Sequence, residues 1–176
     1  MSPKTRKILL VALVVVLVIG VFAVKKITEG QTPEPAPVEQ GELPLEVTSI
    51  DFGELKSYGQ PIMLDFGSES CGPCQAMRPA LEAMYEEMKG KVVIQYTDVW
   101  ANPEAAQNYP VQVIPTQIFF DKEGKPFVPS DKLKKSIGFT LYSSRDTGEH
   151  VFTVHQGGLT EEQMKEIFRE MGVDTK

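Results

Sequence analysis

The chain contains few cysteines and histidines, the residues that disulfide frameworks and metal sites require, and few tryptophans. It has two cysteines, two histidines and one tryptophan in 176 residues. Two cysteines cannot build the disulfide framework of a small secreted domain, so both are available for chemistry. Residues 27–176 hold 13 lysines and arginines against 24 acidic side chains, because the other five basic side chains precede residue 27. This balance argues against nucleic acid as a partner, since binding to phosphates needs a basic face.

The long hydrophobic run of the chain lies close to the N-terminus. Residues 8–24 form 17 consecutive positions with no charge or strongly polar side chain, and Lys25-Lys26 follow them. Two interpretations remain open: an uncleaved anchor over residues 1–26, which the length of the run favours, or a signal segment cleaved near Val21-Phe22-Ala23. Either one places the folded domain on the extracytoplasmic side, and the anchor predicts a single-pass protein of the cell membrane.

A proline-rich, acidic stretch follows the hydrophobic run. The sequence Thr32-Pro33-Glu34-Pro35-Ala36-Pro37 has nothing to bury. Residues 27–44 are therefore predicted to form a semi-extended linker. The remaining residues, 45–176, are enough for one domain with one ordinary core.

Strand-like and helix-like patterns alternate over residues 45–176. Ser49 or Asp51 is expected to cap a first short helix, and Asn102 another that starts at Pro103. Residues 160–163 form a capping box that begins the last helix. The remaining predicted elements are strands at 62–66, 92–99, 116–120 and 151–155, a helix at 75–88, and, between 126 and 145, a turn or two of helix at 132–137 and an added strand at 138–143.

Both cysteines stand in the motif Cys71-Gly72-Pro73-Cys74, between the predicted strand 62–66 and the predicted helix 75–88. A cysteine at the start of a helix faces unpaired backbone N–H groups, and these stabilise its thiolate. The arrangement indicates a redox-active pair. A zinc site formed with His150 and His155 is the less favoured interpretation, because more than 70 residues separate the second cysteine from the first histidine.

The order of motifs resembles the thioredoxin family. The tetrapeptide matches the family's active site, Asp65 stands six residues before Cys71, Pro79 lies inside the following helix, and Ile114-Pro115-Thr116 precedes a strand. The resemblance implies the α/β thioredoxin fold, with a central mixed sheet of four or five strands flanked by helices. It also implies a cis peptide bond at Pro115. The stretch between Gly124 and Gly157 is longer than in a minimal thioredoxin, which indicates an insertion before the last strand.

The resemblance, together with thiol chemistry, assigns roles to the candidate site residues. Cys71 is expected to attack the substrate disulfide and Cys74 to resolve the mixed disulfide. Asp65, a carboxyl group in an apolar strand, is the candidate base for Cys74, directly or through water; alternatively, it satisfies a backbone group. The expected substrate-binding residues are Gly72, Pro73, Ile114, Pro115 and Trp100.

Three positions depart from the family pattern. Ser70 and Gly67 stand where the family usually has tryptophan, and Tyr96 stands where it has a lysine near the buried carboxyl group. The sequence suggests that Trp100 partly replaces the missing aromatic cover; core packing is the alternative. These departures predict a recognition surface unlike that of a general-purpose thioredoxin.

The resemblance implies an extracytoplasmic thiol–disulfide oxidoreductase that reduces protein disulfides with no cofactor beyond the Cys71–Cys74 pair. Its expected electron donor is a membrane thiol-electron transporter of the DsbD or CcdA type. Two alternatives are a disulfide-forming oxidant resembling DsbA, against which Gly72-Pro73 and Ile114 count, and a non-catalytic adaptor, against which the intact cysteine pair counts.

Overall fold

A computed structural model of the chain describes residues 43–175. The predicted anchor, residues 1–26, lies outside the described residues, as does the predicted linker apart from its last two residues. Among the helices within 43–175, none combines the length and the apolar character needed to cross a membrane.

Helices and strands alternate along the described part of the chain. In order they are α1 (Phe52–Ser57), β1 (Ile62–Gly67), α2 (Gly72–Glu87), β2 (Val93–Asp98), a 3₁₀ helix (Pro103–Ala106), β3 (Thr116–Phe120), α3 (Asp131–Ile137), β4 (Thr140–Ser143), β5 (His150–Gln156) and α4 (Glu161–Glu170).

The five strands form one mixed sheet in the order β2-β1-β3-β5-β4. Strand β1 is parallel to β2, whereas the β1–β3, β3–β5 and β5–β4 pairs are antiparallel. The predicted mixed sheet is confirmed. The predicted insertion is also confirmed, because α3 and β4 precede the last strand and β4 forms an edge of the sheet.

Helix boundaries follow local capping chemistry. Asp51 caps α1 by accepting a hydrogen bond from the Glu54 backbone N–H at 3.0 Å. Helix α2 begins at Gly72, three residues before the predicted start, because Pro73 fits the first turn, where its missing N–H is not needed. Asn102 is the N-cap of the 3₁₀ helix, as predicted, but its side chain makes no capping hydrogen bond, because its amide donates to the Asp98 backbone oxygen at 3.3 Å.

The sheet packs a hydrophobic cluster on each face. We call one the α1-side cluster; its buried members are Leu55, Ile62, Leu64, Phe66, Val93, Ile118, Phe120 and Val154. The α2-side cluster contains Met63, Met77 and Tyr96 among others. Because side chains alternate along a strand, Asp65 lies on the same face as Met63, under α2.

Candidate active site

The two cysteines lie at the start of α2. Cys71 is the N-cap residue and Cys74 lies in the first turn; their sulfur atoms are 2.21 Å apart, in a disulfide. The Cys74 backbone N–H donates to Cys71 Sγ at 3.3 Å. Each cysteine is only 8% exposed, so position in the helix rather than exposure distinguishes the two sulfur atoms. The predicted placement of the pair is confirmed.

The loop before β3 lies against Cys71. The Ile114–Pro115 peptide bond is cis, as predicted. Cys71 Sγ is 3.8 Å from the Ile114 carbonyl oxygen, and the Thr116 hydroxyl donates to the Val113 carbonyl oxygen at 2.6 Å. The structure thus brings together two segments that lie more than 40 residues apart in the chain.

Asp65 is a buried carboxyl group on β1, only 3% exposed. The Gln117 side-chain amide donates to Asp65 Oδ1 at 2.7 Å. Burial raises the pKa of Asp65 from 3.8 to about 7, although the hydrogen bond from Gln117 favours the ionised form. A carboxyl group with such a pKa can exchange a proton with a thiol near neutral pH.

Asp65 and Cys74 line the same cavity, which has a volume of about 480 Å³. The other walls come from the loop before Cys71, from α2 and from β2; among them are Ser68, Glu69, Arg78 and Tyr96. Asp65 and Cys74 therefore share a cavity that Cys71 does not line.

The family model described as thioredoxin matches residues 45–137, a stretch that includes Cys71, Cys74, Asp65 and Pro115. The chain belongs to the thioredoxin family. It has the thioredoxin fold and is a thiol–disulfide oxidoreductase, and thioredoxins act on protein disulfides.

Curated relatives resemble the thioredoxin part of the chain. The chain is 37% identical over 83 residues to a thioredoxin of Mycobacterium tuberculosis, an alignment that covers 47% of this chain and 71% of the relative. It is 37% identical over 95 residues to a thioredoxin of Staphylococcus aureus, covering 54% and 84% of the two chains. Among solved structures it is similar to chloroplastic thioredoxin z, with a TM-score of 0.46, 23% identity and coverage of 74% and 97%.

Tyr96 occupies the space beside Gly67, which has no side chain. A Cβ atom added at Gly67 would lie 2.8 Å from Tyr96 Cε2 and 3.4 Å from Cys74 Sγ. The Arg78 guanidinium lies 4.6 Å from the centre of the Tyr96 ring and is paired with Glu46 and Glu82. The aromatic cover of this region is therefore Tyr96. Sequence reasoning missed that role, although Gly67 and Tyr96 were both recognised as departures from the family.

Trp100 lies outside the core, at 64% exposure, so the core-packing alternative is wrong. Asp98 holds its loop: Oδ1 accepts the backbone N–H groups of Trp100 at 2.8 Å and Ala101 at 3.0 Å. Asp98 Oδ2 accepts the backbone N–H of Glu69 at 2.9 Å. Since Glu69 is two residues before Cys71, Asp98 connects the Trp100 loop to the active-site loop.

The two histidines lie on β5. The predicted strand position of His155 is confirmed, and its ring is largely buried. Within the described residues, no group of three or more His, Cys, Asp or Glu side chains has an arrangement that could hold a metal ion. Gln117, the partner of Asp65, was also missed in the sequence. Its only signal was an amide side chain directly before the apolar residues 118–120 of the strand.

Proposed function

We propose that this chain is an extracytoplasmic reductase of protein disulfides. The observation that carries the proposal is the Cys71–Cys74 disulfide at the start of α2, with a buried carboxyl group behind Cys74 and the cis-proline loop in front of Cys71. These are the groups that dithiol exchange needs: a stabilised thiolate, a second thiol and a proton acceptor.

In the first step, the Cys71 thiolate attacks one sulfur of the substrate disulfide. A Cys71–substrate bond forms, the substrate S–S bond breaks, and the second substrate sulfur leaves as a thiolate. The Cys74 backbone N–H, which donates to Cys71 Sγ, and the start of α2 stabilise the negative charge on the attacking sulfur.

In the second step, Asp65 takes the proton of the Cys74 thiol, directly or through water. The Cys74 thiolate then attacks Cys71 Sγ, which forms the Cys71–Cys74 disulfide and releases the substrate as a thiolate. Two electrons have passed from the cysteine pair to the substrate. The raised pKa of Asp65, about 7, suits it to this transfer near neutral pH.

Substrate contacts are assigned to the surface around Cys71. Ile114 and Pro115 present backbone next to Cys71 Sγ, where an extended substrate segment can pair as an added strand. Gly72 and Pro73 form the exposed start of α2. Exposed Trp100 is assigned a contact with the partner protein, because its loop is tied to the active-site loop through Asp98.

The location and the electron source rest on residues 1–44. The apolar run 8–24 supports a single-pass anchor in the cell membrane, and residues 27–44 supply a linker. A domain outside the cytoplasm depends on electrons that cross the membrane, so the proposed donor is a thiol-electron transporter of the DsbD or CcdA type. A membrane-impermeant maleimide should label the reduced cysteines of intact cells; protection of the cysteines would contradict this location.

The equilibrium redox potential of the Cys71–Cys74 pair against glutathione tests the direction of the reaction. A value near that of thioredoxin, about −270 mV, supports the reductase, whereas a value near about −120 mV favours the disulfide-forming oxidant. Insulin reduction tests catalysis: Cys71→Ser and Cys74→Ser should each abolish turnover, while Val128→Ala, on a 67% exposed side chain, serves as the control. A non-catalytic adaptor would show no turnover even in the unmodified chain.

A further inference from the structure

Gln117 is a buried amide side chain beside Asp65. It lies on β3, two residues after Pro115, and is paired in register with Asp65 on β1. Cross-strand neighbours of this kind present their side chains on the same face of the sheet. Gln117 is 0% exposed, and its amide nitrogen Nε2 is 2.7 Å from Asp65 Oδ1. The carboxyl group therefore has an amide donor on the side of β3.

The direction of the Gln117 amide follows from its two partners. Nε2 has two hydrogens, one for Asp65 Oδ1 and one for Met77 Sδ at 3.5 Å. A thioether sulfur has no hydrogen to donate, so the donating end of the amide must face Met77 and Asp65. The Leu159 backbone N–H donates to the same sulfur at 3.2 Å and holds it in place. Helix α2, which carries both Cys74 and Met77, thus orients the amide towards Asp65.

The arrangement has a cost at the other end of the amide. Gln117 Oε1 is buried without a hydrogen-bond partner, and an unpaired buried acceptor is unfavourable. The next residues of β3, Ile118, Phe119 and Phe120, are buried and apolar, so packing in this strand does not require an amide. The hydrogen bond to Asp65 can offset the cost, because a hydrogen bond to a charged acceptor stabilises more than one between neutral groups.

We propose that Gln117 is a positioning residue for Asp65: its amide occupies Oδ1 and favours the ionised carboxyl group, which leaves Oδ2 to take the Cys74 proton. Asp65 and Cys74 line the same cavity, and the transfer takes place across it, directly or through water. The proton leaves Cys74 Sγ, arrives at Oδ2 and later returns to solvent; Gln117 itself gains and loses none. The catalytic consequence rests on the proposed role of Asp65 as the base.

The donor to Asp65 comes from β3 rather than from β2. On β2, Tyr96 stands where the family usually has a lysine, and burial raises the pKa of Tyr96 to about 12. The ionisable side chains that face Asp65 from the cavity, from β2 and, beyond Gln117, from β5 are Glu69, Cys74, Arg78, Tyr96 and His155. Arg78 is paired with two carboxylates. Replacing Gln117 leaves all of these groups in place, so a change in the titration of Asp65 comes from the lost amide.

The titration of the Asp65 carboxyl group, followed by its carbon-13 shift, tests the proposal. The full-length chain in detergent is measured in the oxidised state, because the disulfide removes the Cys74 thiol from the titration. Gln117→Leu should raise the midpoint by about one pH unit or more, since a hydrogen bond to the charged form is lost. Met77→Leu keeps the amide but removes its second partner, so it should raise the midpoint by less.

Gln95→Leu is the matched control. Gln95 is a glutamine on β2 that is 5% exposed, and its Oε1 is also buried without a hydrogen-bond partner. It is paired in register with Leu64, the neighbour of Asp65, so its side chain lies on the other face of the sheet. Its replacement should leave the Asp65 midpoint unchanged. Coincident midpoints for Gln117→Leu and Gln95→Leu would overturn the proposal.

The unmodified chain gives a readout that does not depend on whether a variant folds. As pH rises through the titration of Asp65, the side-chain N–H signals of Gln117 should move with the same midpoint as the carboxyl carbon, because the amide donates to the oxygen that becomes charged. Asp65→Asn should abolish this movement. Gln117 signals that stay constant through the titration would overturn the proposal.

The pH dependence of the resolving step separates this proposal from the role of Asp65 as the base. The step is followed as release of substrate thiol from the Cys71 mixed disulfide. With Asp65 as the base, Gln117→Leu should slow it about 5-fold at pH 7, because a one-unit rise in the midpoint removes that share of the carboxylate, and the rate should recover at higher pH. A shifted Asp65 midpoint with an unchanged rate profile would confirm the positioning by Gln117 and refute Asp65 as the base.

Discussion

The two hydrophobic clusters on opposite faces of the sheet differ in the charge of the buried side chains beside them. The buried members of the α1-side cluster are all aliphatic or phenylalanine side chains. The α2-side cluster adjoins Asp65, whose pKa burial raises to about 7. Strand β1 contributes residues to both faces, because its side chains alternate: Ile62 and Leu64 lie on the α1 side, and Met63 and Asp65 on the α2 side.

Because the buried carboxyl group lies on the α2 side, substitutions on the two faces should have different consequences. A change on the α1 side alters the free energy of unfolding through lost packing and leaves the proton acceptor in place. A change beside Asp65 alters the dependence of stability and of reaction rate on pH, because it changes the cost of a buried charge. Substitutions on the two faces of the sheet test whether these effects are separate.

The largest expected effect belongs to Asp65→Asn. Because the pKa of Asp65 is raised from 3.8 to about 7, its contribution to stability is full below about pH 4 and is lost as pH rises through 7. One pH unit corresponds to about 1.4 kcal/mol, so at pH 8 the asparagine variant should be more stable than the unmodified chain by on the order of 4 kcal/mol. Urea unfolding of the oxidised protein from pH 4 to 8 measures the difference, which should shrink towards pH 4.

A stability difference that stays constant over this pH range would mean that the buried charge of Asp65 does not destabilise the fold. The α2-side cluster, like the α1-side cluster, would then contribute to stability independently of pH. Asp121→Asn is the matched control, since Asp121 lies at an exposed turn where its Oδ1 accepts two backbone N–H groups. This control should make the chain less stable, if it has any effect, because it weakens the turn without removing a buried charge.

Leu55→Ala tests the other side of the comparison. Leu55 is 1% exposed in the α1-side cluster, and its truncation should lower the free energy of unfolding by about 2–5 kcal/mol. The redox potential of the cysteine pair and the pH dependence of the resolving step should not change. Denaturant unfolding and a glutathione equilibrium measure the two quantities; a shifted pH profile in Leu55→Ala would show that the clusters are coupled.

Gly67→Ala should have a smaller effect, on the α2 side. Its methyl group would lie 2.8 Å from Tyr96 Cε2, and overpacking of this kind costs about 1–3 kcal/mol. Adding Tyr96→Ala to Gly67→Ala should remove most of the strain, so the two changes should be non-additive. Gly72→Ala is the stability control, because a methyl group there meets nothing within 4 Å. Additive effects of Gly67→Ala and Tyr96→Ala would mean that the position of the Tyr96 ring does not require a glycine at residue 67.

The parts of the site that the sequence predicted depend on local chemistry. A cysteine before a helix, a helix-capping aspartate and a capping box are each recognised within a few residues, and the structure has them at Cys71, Asp51 and Thr160. The cis bond at Pro115 was expected from the family resemblance.

The parts that the sequence missed depend on strand register. Gln117 meets Asp65 across 52 residues of chain only because β3 pairs with β1. Likewise, Tyr96 reaches Gly67 because β2 runs parallel to β1, with Tyr96 opposite Asp65. A single sequence indicates which face of a strand a residue occupies, but not which residue lies beside it on the next strand.

Trp100→Ala is expected to have the smallest effect on stability. The side chain is 64% exposed, so the free energy of unfolding should change by less than about 0.5 kcal/mol. If Trp100 contacts the partner protein, kcat/KM for a protein disulfide should fall by roughly 5- to 30-fold, the equivalent of about 1–2 kcal/mol, mainly through KM. Reduction of a small disulfide such as a dinitrobenzoate should be unaffected, because it lacks the surface that a protein substrate would place against the Trp100 loop. Equal rates for Trp100→Ala and the unmodified chain on the protein substrate would remove Trp100 from the recognition surface.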